Sequence, residues 1–208
     1  MSNASPSNAE LPRSPELMSV GDTALLVVDV QSKLVALVPG YERLVWNVGR
    51  LIDGATLLGI PVVATEQYPK GLGPTVPELA ARLGESARPK LAFSCGQCGD
   101  VFRQWEAAGI SKVLLAGIES HVCVQQTALD LLAYGLRVYL AVDAIGARQE
   151  IDHRTALRRM ESSGATLTTT EAALFEWCRV AGTSEFKQIS ALVRSEPQIS
   201  NLNSSKSR

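Results

Sequence analysis

Residues 24–32 read Ala-Leu-Leu-Val-Val-Asp-Val-Gln-Ser, an apolar run that closes on the carboxylate of Asp29. A short run of this kind, rich in leucine and valine, is typical of a strand buried on both faces of a parallel sheet. In such sheets, ligand and catalytic sites lie beyond the carboxyl ends of the strands. Asp29 stands at that end, where a buried charge needs either a partner or a chemical task. The strand alone leaves open a catalytic acid, a helix cap and a structural ion pair.

The rest of the chain repeats the alternation of strand and helix. Strands are predicted at 24–30, 61–65, 112–116, 136–142 and, more weakly, 165–168. Apolar side chains recur every three or four residues over Tyr41–Leu58, which predicts an amphipathic helix that Gly59 ends. Similar patterns predict shorter helices near 101–105 and 124–132. This alternation predicts an α/β fold of the Rossmann type, with three α/β/α layers around a central parallel sheet of about six strands.

The composition limits the class of protein. A chain of 208 residues, 46% of them hydrophobic, fits one globular domain. We place this domain at 21–194, between a disordered N-terminal tail at 1–20 and a disordered C-terminal tail at 195–208, because both ends are polar. The 20 basic and 21 acidic residues nearly balance, so the charge excess typical of nucleic-acid or membrane-surface binding is missing.

The cellular location is predicted from the same overview. No apolar stretch approaches the ~20 residues needed to span a bilayer. Residues 1–20 lack the basic start and apolar run of a signal peptide. Four cysteines without a secretory signal favour reduced thiols over a disulfide framework. We therefore expect a cytoplasmic protein.

The segment 117–124, Gly-Ile-Glu-Ser-His-Val-Cys-Val, follows the predicted strand at 112–116 and precedes a helix. A thiol in the first turn of a helix faces unpaired backbone N–H groups and the positive end of the macrodipole. Both favour the thiolate, so we expect a lowered pKa for Cys123 and a nucleophile near neutral pH. The same N–H groups could stabilise an oxyanion. The alternative is a buried cysteine that packs as a small hydrophobic side chain.

These stretches resemble the isochorismatase-like cysteine hydrolases. Residues 117–128, Gly-Ile-Glu-Ser-His-Val-Cys-Val-Gln-Gln-Thr-Ala, resemble the nucleophile segment of that family, and residues 26–31, Leu-Val-Val-Asp-Val-Gln, resemble its first strand. Supporting similarity lies at 65–73 and 165–177. The resemblance covers roughly residues 21–194 and is greatest for the metal-independent branch of the family.

The resemblance implies an Asp–Lys–Cys catalytic triad. Asp29 and Cys123 match the family pattern directly, and Lys90 matches its Lys-x-x-Phe-Ser context as Lys-Leu-Ala-Phe-Ser. The preceding residues 85–89, Glu-Ser-Ala-Arg-Pro, make a poor strand, which favours a loop position for the lysine. Lys70, on a loop rich in glycine and proline, is the rival candidate.

The implied chemistry is covalent catalysis. Asp29 would accept the thiol proton, the ammonium of Lys90 would stabilise the thiolate, and Cys123 would attack an electrophilic carbon. Water activated by Asp29 would then release the product. In the family, the backbone N–H groups at Glu119 and Cys123 form the oxyanion hole, and a cis peptide bond joins the residues that correspond to Ile118 and Glu119.

The substrate is less well specified than the triad. Gln31, Gln67 and Tyr68 are candidate substrate-binding residues, because they follow the first two predicted strands. The implied reaction is hydrolysis of a small molecule, at an amide-like C–N bond or a vinyl ether. The alternative is a non-catalytic binding or interaction protein on the same fold. The resemblance also implies a homo-oligomer, a dimer or a higher assembly.

Neither a metal ion nor another cofactor is expected. The acid–His–His metal set of the family's nicotinamidases is missing, since the loop after the second strand reads Glu66-Gln-Tyr-Pro. This substitution argues against a nicotinamidase.

The pair Cys95-Gly-Gln-Cys98 invites a redox or zinc interpretation. Redox pairs of this spacing normally open a helix after the first strand of a thioredoxin-like unit, whereas this one lies in mid-chain. A structural zinc site needs two further ligands, and no second pair exists. A labile redox pair stays open, and closeness to Lys90 in the sequence could place Cys95 near the pocket.

Other polar residues near these motifs have simpler interpretations. His121 lies two residues before Cys123, so the two side chains do not share a helix face and a capping or packing role is favoured. His153 is expected in solvent. Asp143 and Arg148 are expected to brace the loop after the strand at 136–142.

Overall fold

The computed structural model describes residues 11–84 and 87–197. Six strands form one sheet in the order β3-β2-β1-β4-β5-β6, and every neighbouring pair is parallel. The strands are β1 Thr23–Val28, β2 Val62–Gln67, β3 Ala87–Lys90, β4 Lys112–Ile118, β5 Arg137–Gly146 and β6 Thr166–Thr168. The predicted three-layer α/β/α fold is confirmed.

Helices cover both faces of this sheet. They are α1 Ser32–Val35, α2 Tyr41–Leu58, α3 Pro69–Leu72, α4 Pro77–Leu83, α5 Gly99–Ala107, α6 Gln125–Tyr134, α7 Glu150–Ser162, α8 Thr170–Cys178 and α9 Ser184–Arg194. A 3-10 turn, Cys95–Cys98, opens α5, and a π-helical turn, Ser120–Val124, opens α6. The predicted helix at Tyr41–Leu58 is confirmed in type and bounds. In the described part of the chain, no helix is both long and apolar enough to cross a membrane.

Strand β1 shows why an unbroken apolar run was needed. Its residues are all buried, and they alternate between two separate cores. Leu25 and Val27 pack with α2, α8 and α9 on one face of the sheet. Leu26 and Val28 pack with α5, α6 and α7 on the other face. Both faces of β1 are buried, so no position along the strand suits a polar side chain. This explains its wholly apolar run.

The N-terminal boundary of the domain differs from the prediction. Met18 is fully buried in the core that contains α2. Arg13 Nη2 donates to the carbonyl oxygens of Met18 at 2.8 Å and of Glu176 at 2.7 Å. The predicted disordered tail at 1–20 is therefore wrong over residues 11–20, which pack against the domain. Residues 1–10 and 198–208, the remainder of the two predicted tails apart from 195–197, lie outside the described residues.

Candidate active site

The candidate site lies at the carboxyl edge of the sheet, where β1 and β4 come unusually close. Gly117, near the end of β4, has φ +122°, and a Cβ there would overlap the carbonyl oxygen of Val28. Only glycine combines this backbone conformation with so close an approach. The two strands therefore deliver Asp29 and the turn that carries Cys123 to the same point of the edge.

Asp29 follows β1 in a left-handed conformation, with φ 52°. Aspartate adopts this region more readily than most residues with a side chain. The side chain is fully buried; its Oδ1 accepts from Thr65 Oγ1 at 2.8 Å and its Oδ2 from Lys90 Nζ at 2.7 Å. The carboxylate thus has two donors from neighbouring strands, as a buried charge requires.

Lys90 is the last residue of β3 and does not lie on a loop as predicted. Its fully buried ammonium donates to Asp29 Oδ2, to Gln67 Oε1 at 2.8 Å, and to the carbonyl oxygens of Ala92 at 3.2 Å and Phe93 at 2.9 Å. These oxygens replace the water that the ammonium loses on burial. Lys90 therefore fixes both the carboxylate and the chain that follows β3.

The sequence does not reveal β3, because β3 is a short strand at the edge of the sheet. Its four residues include Pro89, which cannot donate to a sheet ladder but is tolerated at an edge. Arg88 and Pro89 are exposed, so the run lacks the apolar character of the central strands. Residues 85–86 of the quoted Glu-Ser-Ala-Arg-Pro segment lie outside the described residues.

Cys123 lies in the π-helical turn Ser120–Val124, with 4% of its surface exposed. Its thiol lies close enough to the carboxylate of Asp29 for that carboxylate to affect its pKa. Burial and then the negative charge of Asp29 raise the pKa of Cys123, and the opposing charge of Lys90 does not compensate. The expected lowering of this pKa is therefore wrong, because burial and the carboxylate outweigh the helix terminus.

The structure thus brings the three predicted triad residues together, with Asp29 in contact with both of the others. The rival Lys70 lies outside this network; it lines a cavity of about 360 Å³ beside Lys90. Tyr68, which is half exposed, forms an apolar wall of the same cavity together with Leu91. The predicted cis peptide bond between Ile118 and Glu119 is present.

The two candidate glutamines hold the site from within the protein. Gln31 Nε2 donates to the carbonyl oxygens of Gln67 at 3.0 Å and Gly73 at 2.6 Å, and its Oε1 accepts from the Gln67 amide at 2.8 Å. Gln67 Nε2 donates to Leu91 O at 2.8 Å, while its Oε1 accepts from Lys90. Both side-chain amides are occupied by the protein, so they act as braces of the lysine and the loop after β2.

Thr65, which the motifs did not single out, and Cys95, which the sequence analysis placed near the pocket as a possibility, lie next to the triad. Thr65, besides donating to Asp29, has its Oγ1 3.5 Å from Cys95 Sγ. Cys95 is fully buried, and its backbone amide donates to Thr127 Oγ1 at 2.9 Å. Burial, and secondarily the charge of Asp29, raises the pKa of Cys95 to about 11. The register that pairs Val28 with Thr65 creates this arrangement, and no pattern along the chain reveals it.

Two further acidic residues, Glu66 and Asp143, have local structural partners. Glu66 Oε1 accepts from the amide of Thr75 at 2.7 Å and from its hydroxyl at 2.9 Å. Asp143 Oδ1 accepts from the amide of Thr170 at 2.8 Å and from its hydroxyl at 3.0 Å, at the start of α8. Within 11–84 and 87–197, no three acidic, histidine or cysteine side chains form a group that could hold a metal ion.

Comparison with known proteins matches this chain to the isochorismatase domain. A profile of the isochorismatase domain matches residues 23–172. Isochorismatase domain-containing protein 2 of Bos taurus is 41% identical to this chain over 175 residues, which cover 84% of each chain. A solved structure described as the MAR1 ribonuclease of Caenorhabditis elegans is 36% identical, covers 89% of this chain and 96% of its own, and superposes with a TM-score of 0.80.

Two solved YcaC structures are more distant, each 27% identical with a TM-score of 0.77. The Pseudomonas aeruginosa protein covers 87% of this chain and 93% of its own, and it carries covalent acrylamide. The Escherichia coli protein covers 87% of this chain and 92% of its own, and it is described as an octameric hydrolase of unknown specificity.

Proposed function

Because the chain belongs to the isochorismatase family, we propose that it is a hydrolase that uses Cys123 as nucleophile, Asp29 as proton acceptor and Lys90 as the neighbouring cation. One observation carries this proposal. A single buried carboxylate contacts both a thiol and an ammonium at the edge of the sheet where sites form. A structural ion pair explains the ammonium contact, but it does not explain the thiol.

In the first step, Cys123 Sγ forms a bond to the electrophilic carbon of the substrate while its proton moves to Asp29. The raised thiol pKa supports a transfer that accompanies attack, without a standing thiolate in the free enzyme. Lys90 offsets the negative charge of the pair during the transfer. We assign the oxyanion hole to the backbone N–H groups of Glu119 and Cys123.

In the second step on an amide-like substrate, Asp29 returns its proton to the leaving amine as the C–N bond breaks. Water then attacks the covalent intermediate and gives one proton to Asp29. Cleavage of the bond to Cys123 regenerates the thiol with that proton, so the enzyme returns to its starting form. No oxidant or reductant is consumed.

We propose a small-molecule substrate with an amide-like C–N bond or a vinyl ether. A cavity of about 360 Å³, within the usual range of ligand pockets, borders Lys90, but its lining does not include Asp29 or Cys123. Its walls include Tyr68, Pro69 and Leu91, which suit an apolar body. Tyr68 is the one predicted substrate-binding residue that lines this cavity. The covalent acrylamide of the P. aeruginosa YcaC supports a reactive nucleophile on this fold, since acrylamide is an electrophile.

The test is a hydrolysis screen of amides, carbamates and isochorismate with the wild type and Cys123→Ala. An RNA oligonucleotide belongs in the screen because of the ribonuclease description of the C. elegans relative. We expect turnover of a small molecule that Cys123→Ala abolishes and that extensive chelation leaves unchanged. Cys178→Ala is the matched control, because this cysteine lies at the end of α8 and away from the triad.

Two outcomes would contradict the proposal. Hydrolysis that persists in Cys123→Ala would place the chemistry elsewhere. Stoichiometric modification of Cys123 without turnover of any substrate would favour the alternative, a binding or interaction protein on the same fold.

We also propose a homo-oligomer in the cytoplasm. The octameric E. coli YcaC supports the assembly, and light scattering of the purified chain tests it. The four cysteines are all free thiols, which suits a reducing compartment.

A further inference from the structure

The residues just before Cys123 contact a second segment, 148–153, which runs from the end of β5 into α7. The first contact joins Glu119, which is 5% exposed, to Arg148. Glu119 Oε1 accepts from Arg148 Nε at 2.9 Å and from the Arg148 amide at 3.1 Å. Burial alone would raise the pKa of Glu119, but the hydrogen bonds and charge of Arg148 outweigh it and hold that pKa below its ordinary value.

The second contact joins Ser120 to His153. Ser120 is fully buried, and its Oγ lies 3.3 Å from His153 Nδ1. His153 is half-buried and not in open solvent as predicted, and burial lowers its pKa, so the neutral ring is favoured near neutral pH. A neutral imidazole nitrogen can donate to a hydroxyl or accept from it, according to its tautomer.

The third contact is weaker and more exposed. His121 Nε2 lies 3.8 Å from Asp152 Oδ2. Helix α7 itself is anchored in the core by Ala156 and Met160. Three successive residues that precede the nucleophile, Glu119, Ser120 and His121, are therefore each paired with a residue of segment 148–153.

We propose that Arg148 and His153 are positioning residues, which hold the turn Ser120–Val124 so that the Cys123 thiol stays on the Asp29 carboxylate. This inference rests on the hydrolase function proposed above. Within the described residues, neither side chain contacts the triad, so each acts through the turn. A displacement of the nucleophile by about 1 Å is enough to lower a rate by about 10²-fold.

The experiment compares Arg148→Met and His153→Leu with wild type in the full-length protein. The probe is iodoacetamide, and peptide mapping follows the labelling of all four cysteines with time. We expect labelling of Cys123 to rise roughly tenfold in Arg148→Met, because loss of one charge-assisted hydrogen bond eases local opening of the turn. In the same variant we expect kcat on the substrate found in the screen to fall, with KM little changed.

Cys98 is buried and provides the internal reference, whereas Cys95 lies beside the triad. If the variant only destabilises the whole domain, the labelling of Cys98 rises in parallel with that of Cys123, and the inference fails. It also fails if the labelling of Cys123 does not change. The matched control is Arg154→Met, which removes an exposed arginine from α7, next to His153 in the chain, and we expect wild-type labelling.

Two further variants sharpen the test. Arg148→Lys retains a cation, and we expect it to restore part of the wild-type protection of Cys123. Glu119→Gln combined with Arg148→Met should add little to Arg148→Met alone, because both changes remove the same interaction. Fully additive effects would overturn the pairing.

The labelling assay does not depend on turnover, so the two proposals can fail separately. If hydrolysis persists in Cys123→Ala while Arg148→Met still releases the turn, the hydrolase mechanism fails and the contact stands. If hydrolysis requires Cys123 but Arg148→Met leaves both labelling and kcat unchanged, the positioning role fails and the mechanism stands.

Discussion

Two lysine–aspartate pairs lie at opposite edges of the same sheet, and both have an N–O distance of 2.7 Å. Lys90 and Asp29 meet at the carboxyl edge, where both side chains are fully buried. Lys112 and Asp22 meet at the amino edge, where 30% of the aspartate side chain is exposed. The length of the ion pair therefore does not distinguish the two regions.

The additional partners distinguish them. Asp22 Oδ1 accepts from the amide of Ser19 and the hydroxyl of Thr23, and Lys112 also donates to Leu17 O, so this pair fastens the N-terminal segment. At the other edge, the carboxylate of Asp29 contacts a thiol. A fully buried pair beside a nucleophile has a chemical task, whereas a pair with a partly exposed aspartate, joined otherwise only to backbone and hydroxyl groups, has a structural one.

The largest expected difference is in turnover. Asp29→Ala should lower kcat by about 10³-fold or more, about as much as Cys123→Ala, because members of one catalytic unit are not additive. Asp22→Ala should stay within about twofold of wild type, since Asp22 lies at the opposite edge of the sheet and its partners do not include the triad residues. Steady-state kinetics on a substrate from the screen measure both. Comparable losses in the two variants would show that the effect comes from stability.

The next difference is in stability. Lys90→Met leaves Asp29 buried without its cation and should lower the free energy of unfolding by about 3–5 kcal/mol. Lys112→Met should lower it by about 1–2 kcal/mol, because Asp22 can turn to solvent. Urea unfolding at neutral pH measures both, and Lys70→Ala should leave the free energy of unfolding unchanged. A Lys90→Met protein as stable as Lys112→Met would mean that water reaches the carboxylate.

The central strands and the edge strand β3 also differ in how much the sequence alone could predict. Strands β1 and β4 are central and therefore form long apolar runs. From these runs, the fold and the positions of Asp29 and Cys123 could be predicted. Lys90 came only from the family resemblance, because edge strand β3 has too little apolar surface to leave a pattern. Contacts across strands, such as Thr65 with Asp29, depend on register, which no local pattern records.

The error on the Cys123 pKa has the same origin. The helix terminus is a local feature and could be inferred from the chain, whereas the burial of the thiol and its contact with Asp29 are tertiary. Because burial and the carboxylate both favour the protonated thiol, the tertiary environment reverses the expected sign.

This reversal gives a prediction about reactivity. Cys178 is only partly buried, whereas Cys123 is buried beside a carboxylate. Iodoacetamide at pH 7 should therefore label Cys178 at least about tenfold faster than Cys123. Asp29→Asn should narrow the gap, because it removes the charge that favours the protonated thiol. Faster labelling of Cys123 in the wild type would show that Lys90 and the helix terminus outweigh burial and Asp29 in setting the pKa of this thiol.

The smallest expected effect is the acid sensitivity of the amino-edge pair. Burial alone would raise the pKa of Asp22, but hydrogen bonds from Lys112, Thr23 and Ser19 outweigh it and hold that pKa below its ordinary value. A carboxyl whose pKa is lowered on folding stabilises the fold above its unfolded pKa of about 3.9 and loses that contribution as the pH falls through the folded value.

Asp22→Asn keeps the side-chain shape but cannot ionise, so it should be less stable than wild type at pH 7, by about 0.5–1 kcal/mol for a pair this exposed. The gap should narrow as the pH falls below about 4, because the wild type then loses the ionised carboxylate as well. Urea midpoints at pH 7, 4 and 3 test this, with Asp53→Asn as the control on a surface pair with Arg82. A gap that stays constant down to pH 3 would mean that the hydrogen bonds, and not the charge of Asp22, fasten the N-terminal segment to the sheet.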